Sequence, residues 1–261
     1  EKGAEVDRAN KNGETPLSIA KSEDYSSIVA LLEDHMYPLH TTAKEGNVDE
    51  MMRLLDDGAA INQTKDDGAT PLYVACEKGQ VDAVLLLLDK GAEVDRAMRD
   101  GRTPLYVACS TGHADAAKLL LNKGAAVDRA NQNGATPLYV ACQNGHIAAA
   151  RLLLENGAEV DRAKENGATP LFVACFKGHV RAARLLLERG ADINRASNQG
   201  LTPLYVACLE GHVDAVRLLL AKGAQVNRVE KWGDTPLSVA QKKGHSSIVA
   251  LLEEHIYRLH A

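Results

Sequence analysis

Prolines stand at positions 16, 38, 71, 104, 137, 170, 203 and 236, and from 38 onward every interval is 33 residues. Five cysteines (76, 109, 142, 175, 208) and five histidines (113, 146, 179, 212, 245) keep the same step. A chain written on one period offers the same residues again and again, so its units must bury their apolar faces against copies of themselves. That arrangement is a stack, and the period sets the thickness of one layer.

Residues 134–166, GATPLYVACQNGHIAAARLLLENGAEVDRAKEN, show one full unit. Thr136 fits an N-cap, its hydroxyl accepting a bond from a first-turn amide. Pro137 fits the first helical position, where a missing N–H costs nothing. Leu138, Val140 and Ala141 give this short helix an apolar face, and Gly145 ends it in the left-handed region. HIAAARLLLEN predicts a second helix stopped by Gly157, and AEVDRAKENG predicts an extended, polar finger with a glycine turn. At about 10 Å per layer, seven or eight layers make a rod of roughly 70–80 Å.

The recurring pattern G-x-T-P-L-x-x-A-x-x-x-G-H…L-L-L-x-x-G-A-x-V covers nearly the whole chain and resembles the ankyrin repeat. The resemblance implies an all-α solenoid of helix-turn-helix units with β-hairpin-like fingers. It also implies protein–protein recognition through the fingers and the first helices. Two departures recur: Tyr73, Tyr106, Tyr139, Phe172 and Tyr205 replace the usual His after TPL, and the five cysteines replace a usual alanine.

The domain plan follows from departures at the ends. Residues 70–234 read as five internal repeats and 235–261 as a C-terminal capping repeat, with QKKGHSS where the previous repeat has CLEGHVD. Residues 37–69 read as an atypical opening repeat, lacking Thr before Pro38 and carrying Met51 and Met52. Residues 1–40 match 221–260 at 24 of 40 positions, so 1–36 resembles the closing cap of a preceding array. The 22-residue interval between Pro16 and Pro38 is one repeat short of its finger. Two readings of that seam stay open: tandem arrays spanned at one junction, or a duplicated cap in one continuous rod.

Composition narrows the function. A net charge of −5 gives no reason to expect nucleic acid or an acidic membrane surface as a partner. The longest apolar run, AVLLLL at 83–88, is too short to span a bilayer. The chain opens EKGAEVDRAN, without a secretory segment or an initiating Met, and so reads as a cut-out or processed chain. Cysteines one layer apart lie beyond the roughly 7 Å Cα limit of a disulfide, and none has ligands at zinc spacing. They read as reduced, buried thiols in a cytoplasmic, reducing compartment. The GH histidines read as structural, each bonding to the preceding loop. No nucleophile elbow, P-loop or dinucleotide fingerprint is present. The expectation is therefore no enzyme, no cofactor, no metal and no small-molecule substrate, in a monomer that binds a protein or peptide.

A binding surface should show where one repeat breaks the pattern. After the repeating Cys stand Glu77, Ser110, Gln143, Phe176 and Leu209, at a position that looks into the concave groove of an ankyrin-like stack. Phe176 and Leu209 are apolar neighbours in adjacent layers, with Tyr205 one turn before Leu209. In the fingers of the same half stand Leu201 and the single tryptophan, Trp232. Clustered apolar residues mark interfaces. An arginine row (8, 96, 129, 162, 195, 228) follows Asp at 7, 95, 128 and 161 but Asn at 194 and 227. Arg195 and Arg228 are thus expected to be the less neutralised members. The partner-binding set is Phe176, Leu201, Tyr205, Leu209, Trp232, Arg195 and Arg228. The alternative is a structural spacer or regulatory array within a larger multidomain protein.

Overall fold

A computed structural model describes residues 6, 8–231 and 233–260. Among the described residues there are sixteen helices and no strand. Helices α1 (Pro16–Ser22) and α2 (Ser26–Met36) precede seven further pairs. These are α3 (Pro38–Glu45) with α4 (Val48–Asp56), α5 (Pro71–Lys78) with α6 (Val81–Asp89), and α7 (Pro104–Thr111) with α8 (Ala114–Asn122). Then come α9 (Pro137–Gln143) with α10 (Ile147–Glu155), α11 (Pro170–Phe176) with α12 (Val180–Glu188), and α13 (Pro203–Leu209) with α14 (Val213–Ala221). The last pair is α15 (Pro236–Lys243) with α16 (Ser246–His260). From α3 onward the odd-numbered helices form one column and the even-numbered helices another, each helix packing on its counterpart in the next layer.

Each internal unit starts as its sequence dictates. The hydroxyls of Thr70, Thr103, Thr136, Thr169 and Thr202 accept the amide three residues on at 3.1 Å, with proline in the first turn. Such a cap contributes about 1 kcal/mol per helix. Between the columns lies a core of buried aliphatic side chains and small residues. Leu72, Leu105, Leu138, Leu171 and Leu204 fill it from the inner helices, and Leu87, Leu120, Leu153, Leu186 and Leu219 from the outer ones. The five cysteines are buried there beside alanines.

The fingers are tight hairpin turns rather than strands. In the finger at 131–135 Asn131 N–H donates to Ala135 O and Gly134 N–H to Asn131 O, both at 3.0 Å. One backbone bond ties each finger to the previous one, as Gln132 N–H to Asp100 O at 2.9 Å and Asn198 N–H to Asn166 O at 3.0 Å. A second bond crosses 31 residues: Asp128 Oδ2 accepts Glu159 N–H at 3.0 Å, and Asn194 Oδ1 accepts Gln225 N–H at 2.9 Å.

At the N-terminal seam the columns do not continue. Pro38 follows α2 by two residues, with Tyr37 (φ −131°, ψ 53°) as the only hinge. Helix α2 packs against the inner helix α3 rather than against an outer helix. Polar bonds fix it: Thr41 Oγ1 donates to Asp34 at 2.9 Å, and Glu33 takes Lys65 at 2.9 Å and Lys21 at 3.0 Å.

Candidate functional site

The residues singled out by the pattern breaks sit on α11, α13 and the fingers beside them. Phe176 and Leu209 are the last residues of α11 and α13, both half-buried, and these two helices pack on each other. Their backbones are held from the next layer: His212 Nε2 bonds Phe176 O at 3.0 Å, and His245 Nε2 bonds Leu209 O at 3.2 Å. Earlier layers repeat the device, with His146 on Ser110 O and His179 on Gln143 O, both at 3.1 Å. His146, His179, His212 and His245 thus cap the C-terminal end of the preceding inner helix, one layer back. The glycine one layer back, at the end of the inner helix that the histidine caps, leaves room for the ring. At Gly178, with φ +71°, a Cβ would stand 2.6 Å from His212 Nδ1.

Tyr205 is buried between layers with its neighbours in the tyrosine row, so it supports the surface from below. Leu201 is half-buried in its finger, where its carbonyl accepts Ser197 N–H at 2.9 Å. Lys177 Nζ stands 5.3 Å from the centroid of the Phe176 ring, a cation–π distance that leaves an aromatic face with a charge beside it. Trp232, and Asp7 of the arginine row, lie outside the described residues.

The arginine row is wired differently from the expectation. Asp95, Asp128, Asp161 and Asn194, the residues before Arg96, Arg129, Arg162 and Arg195, turn their side chains to the backbone of the next finger. Neutralisation comes instead from three residues upstream, where Glu93 pairs with Arg96 at 3.0 Å and Glu159 with Arg162 at 3.4 Å. A signal for this was present in the sequence, since the residue three before the arginine changes from Glu to Ala126, Asp192 and Gln225. Arg228 donates to Asn194 O at 3.1 Å and lines a cleft with His255 and Leu259 of the outer helix α16. That sets it toward the outer column, away from Phe176 and Leu209. Arg195 is exposed and its side chain has no partner among the described residues.

Chemistry-bearing groups elsewhere are quiet. Burial raises the cysteine thiols, to about 12 at Cys142 and Cys208, so they are protonated at neutral pH and poor nucleophiles. Among the described residues no three His, Cys, Asp or Glu side chains are grouped to hold a metal. None of the described helices is long and apolar enough to cross a membrane. A cleft of about 380 Å³ lies between α2 and α3, lined by Lys21, Glu33, Asp34, Thr41, Lys44 and Val74 among others. Within it Glu33 pairs with Lys21 and Lys65, and Asp34 accepts from Thr41.

The sequence reasoning missed a second apolar surface. Ile19, Tyr25, Ile28 and Leu31 on the first helix pair are all exposed. Their signal was the match to the closing repeat, which gives these positions known counterparts.

Comparison with known proteins agrees with this architecture. The family model described as "Ankyrin repeats (3 copies)" matches residues 33–98, 94–164, 126–197, 160–230 and 194–259. Among solved structures, the human ASB11 ankyrin repeat domain superposes with a TM-score of 0.78 at 31% identity, over 84% of this chain and 97% of that one. A search of curated proteins returned no match. With overlapping matches from residue 33 to residue 259, the chain belongs to the ankyrin-repeat family.

Proposed function

We propose that this chain is a non-enzymatic interaction scaffold that holds a partner protein or peptide against the groove and fingers of its C-terminal half. Ankyrin repeats are generally protein-interaction modules, and the location is this chain's own feature. The observation that carries it is the pair Phe176 and Leu209, half-buried at the ends of adjacent inner helices where earlier layers carry Glu77, Ser110 and Gln143. Leu201 extends the apolar surface along its finger and Tyr205 is its floor, while Trp232 is included for its place in the sequence alone. Arg195, exposed and without a side-chain partner among the described residues, supplies a charge for an acidic group flanking the bound motif. Arg228 contributes at the outer rim. The histidine bonds from layer to layer pre-set the backbone, so little conformational entropy is lost when a partner seats.

No cofactor, nucleic acid, membrane or small-molecule substrate enters this reading, and the chain acts as a monomer. Five buried, protonated thiols suit a reducing cytoplasmic compartment. The second reading is a structural spacer or regulatory array within a larger protein, favoured by the finger-less seam at Tyr37. A pull-down from cell extract compares the unaltered chain with Phe176→Glu/Leu209→Glu, after circular dichroism has established that both are folded. Partners lost in the double variant support the groove. An unchanged set of partners sinks the groove, and no specific partner in either case favours the spacer.

A further inference from the structure

The first helix pair and the last are written in nearly the same sequence, yet they differ in what covers their leading face. In α15, Val239 is 4% exposed, and in α16, Ile248 is 0% exposed, because α13 and α14 lie on them. The counterparts 220 positions earlier, Ile19 and Ile28, are 41% and 49% exposed. His245, which bonds the carbonyl of Leu209 in the layer before it, corresponds to Tyr25, which is 53% exposed. Leu31 is exposed as well, whereas its counterpart Leu251 packs against the core. The opposite side of α2 is already used, since Glu33 and Asp34 bind Lys65 and Thr41 of the repeat that follows.

We infer that Ile19, Tyr25, Ile28 and Leu31 form a stacking face for one further ankyrin repeat, joined ahead of Glu1 on the same polypeptide. The molecule shows what covers this face when it is complete: a helix pair such as α13–α14, lying on α15–α16. The connecting sequence agrees. Residues 221–230, AKGAQVNRVE, run out of α14 and lead toward α15, and EKGAEVDRAN at 1–10 has the same form ahead of α1. A second copy of the chain is a poorer occupant, because the matching side of its own α13–α14 is already taken by α15–α16. The first pair then ends one stack with its leading face and begins the next through α2 and α3. The chain would thereby join two arrays across a junction without a finger.

The test gives the first pair the neighbour that the last pair has. A copy of residues 188–220 is placed directly ahead of Glu1, which reproduces the register at Ala221, and backbone hydrogen exchange is followed through the whole chain. Exchange in α2 should slow by about tenfold or more as its open face is covered, and the added helices should themselves become protected. Ile28→Glu should abolish that gain in the extended chain, and change exchange in α2 by no more than about twofold in the unextended one. Exchange in α5–α14 serves as the internal standard. The inference is overturned if α2 is unchanged by the added repeat, if the added helices stay unprotected while α5–α14 are normal, or if protection survives Ile28→Glu. It is equally overturned if the unextended chain sediments as a dimer that Ile28→Glu dissolves, since the face then belongs to a second copy.

Discussion

Residues 26–40 and 246–260 share 12 of 15 amino acids, and they fold differently. The later stretch is one unbroken helix, α16, whereas the earlier one ends at Met36 and restarts at Pro38 as α3. Tyr37 is 8% exposed and Leu39 1%, but Tyr257 is 75% and Leu259 62%. One of the three differences is Pro38 in place of Arg258. A proline has no N–H to continue a helix but suits a helix's first turn. The remaining cause is tertiary: Leu39 and His40 have a neighbouring layer to enter, packed on α5, and the end of α16 has none. The same letters thus become core at one end and surface at the other, because burial is assigned by the stack and not by the local sequence.

The contrast should break most visibly under truncation. Leu39→Ala should cost about 2–5 kcal/mol, the range for a fully buried leucine, while Leu259→Ala should stay within roughly 0.5 kcal/mol. The pattern inverts about two and a half helix turns before the seam. Ile248→Ala should fall in the same costly range of about 2–5 kcal/mol, and Ile28→Ala should cost less than about 1 kcal/mol. Urea unfolding followed by residue-resolved exchange measures all four. Equal costs within either pair would remove the basis of the comparison.

Acid should weaken the N-terminal end next. His40 is buried beneath Tyr37, its ring centroid 5.3 Å away, and its Nε2 bonds Ala69 O at 3.0 Å. Nδ1 is buried and makes no hydrogen bond among the described residues. Burial lowers its pKa from 6.5 to about 4. The unfolded chain therefore binds the proton first, and stability that is full above pH 6.5 is lost as pH falls toward 4, by roughly 3 kcal/mol at most. Glu33 adds to the loss in the lower part of that range and below it. Burial alone would raise its carboxyl, but the hydrogen bonds from Lys65 and Lys21 outweigh burial and lower it. His40→Tyr, which installs the residue used at Tyr73, should flatten the upper part of the profile. Thermal melts from pH 7 to pH 4 read this out, and an unchanged slope in His40→Tyr would place the acid sensitivity elsewhere.

Pro38→Arg makes the seam spell out the closing helix. If burial governs, α3 survives and the cost is about 1 kcal/mol, from a looser unfolded chain and a less pre-set first turn. A loss of 3 kcal/mol or more, with added helicity by circular dichroism, would show that the proline governs instead.

How much of this was legible beforehand depends on whether the cause was local. Thr136, Pro137 and Gly145 announced their roles because caps and turns are set by adjacent residues. The histidines were readable as structural, although their partner, a carbonyl one layer back, only the stack could supply. Asp128 and Asn194 misled because their side chains act across 31 residues on the next finger's backbone, which one repeat read alone does not show. The exposed face of α1 and α2 stayed hidden for the same reason. Ile28 and Ile248 sit in the identical run SSIVALL, and nothing in that run says which has a neighbour.

The smallest effect expected is electrostatic. Glu33 meets Lys65 at 2.9 Å and Lys21 at 3.0 Å, with Glu33 and Lys65 about three-quarters covered and Lys21 more open. Partly buried pairs of this kind lose to desolvation much of what they gain from attraction, so Glu33→Gln should cost under about 1 kcal/mol, and less at high salt. Glu254→Gln, which removes the exposed pair with Arg258 on the closing helix, should have no measurable effect. Urea midpoints at low and high salt separate the two. A cost above about 2 kcal/mol at Glu33 would mean that charge, rather than the burial of Tyr37 and Leu39, holds the first helix pair to the array.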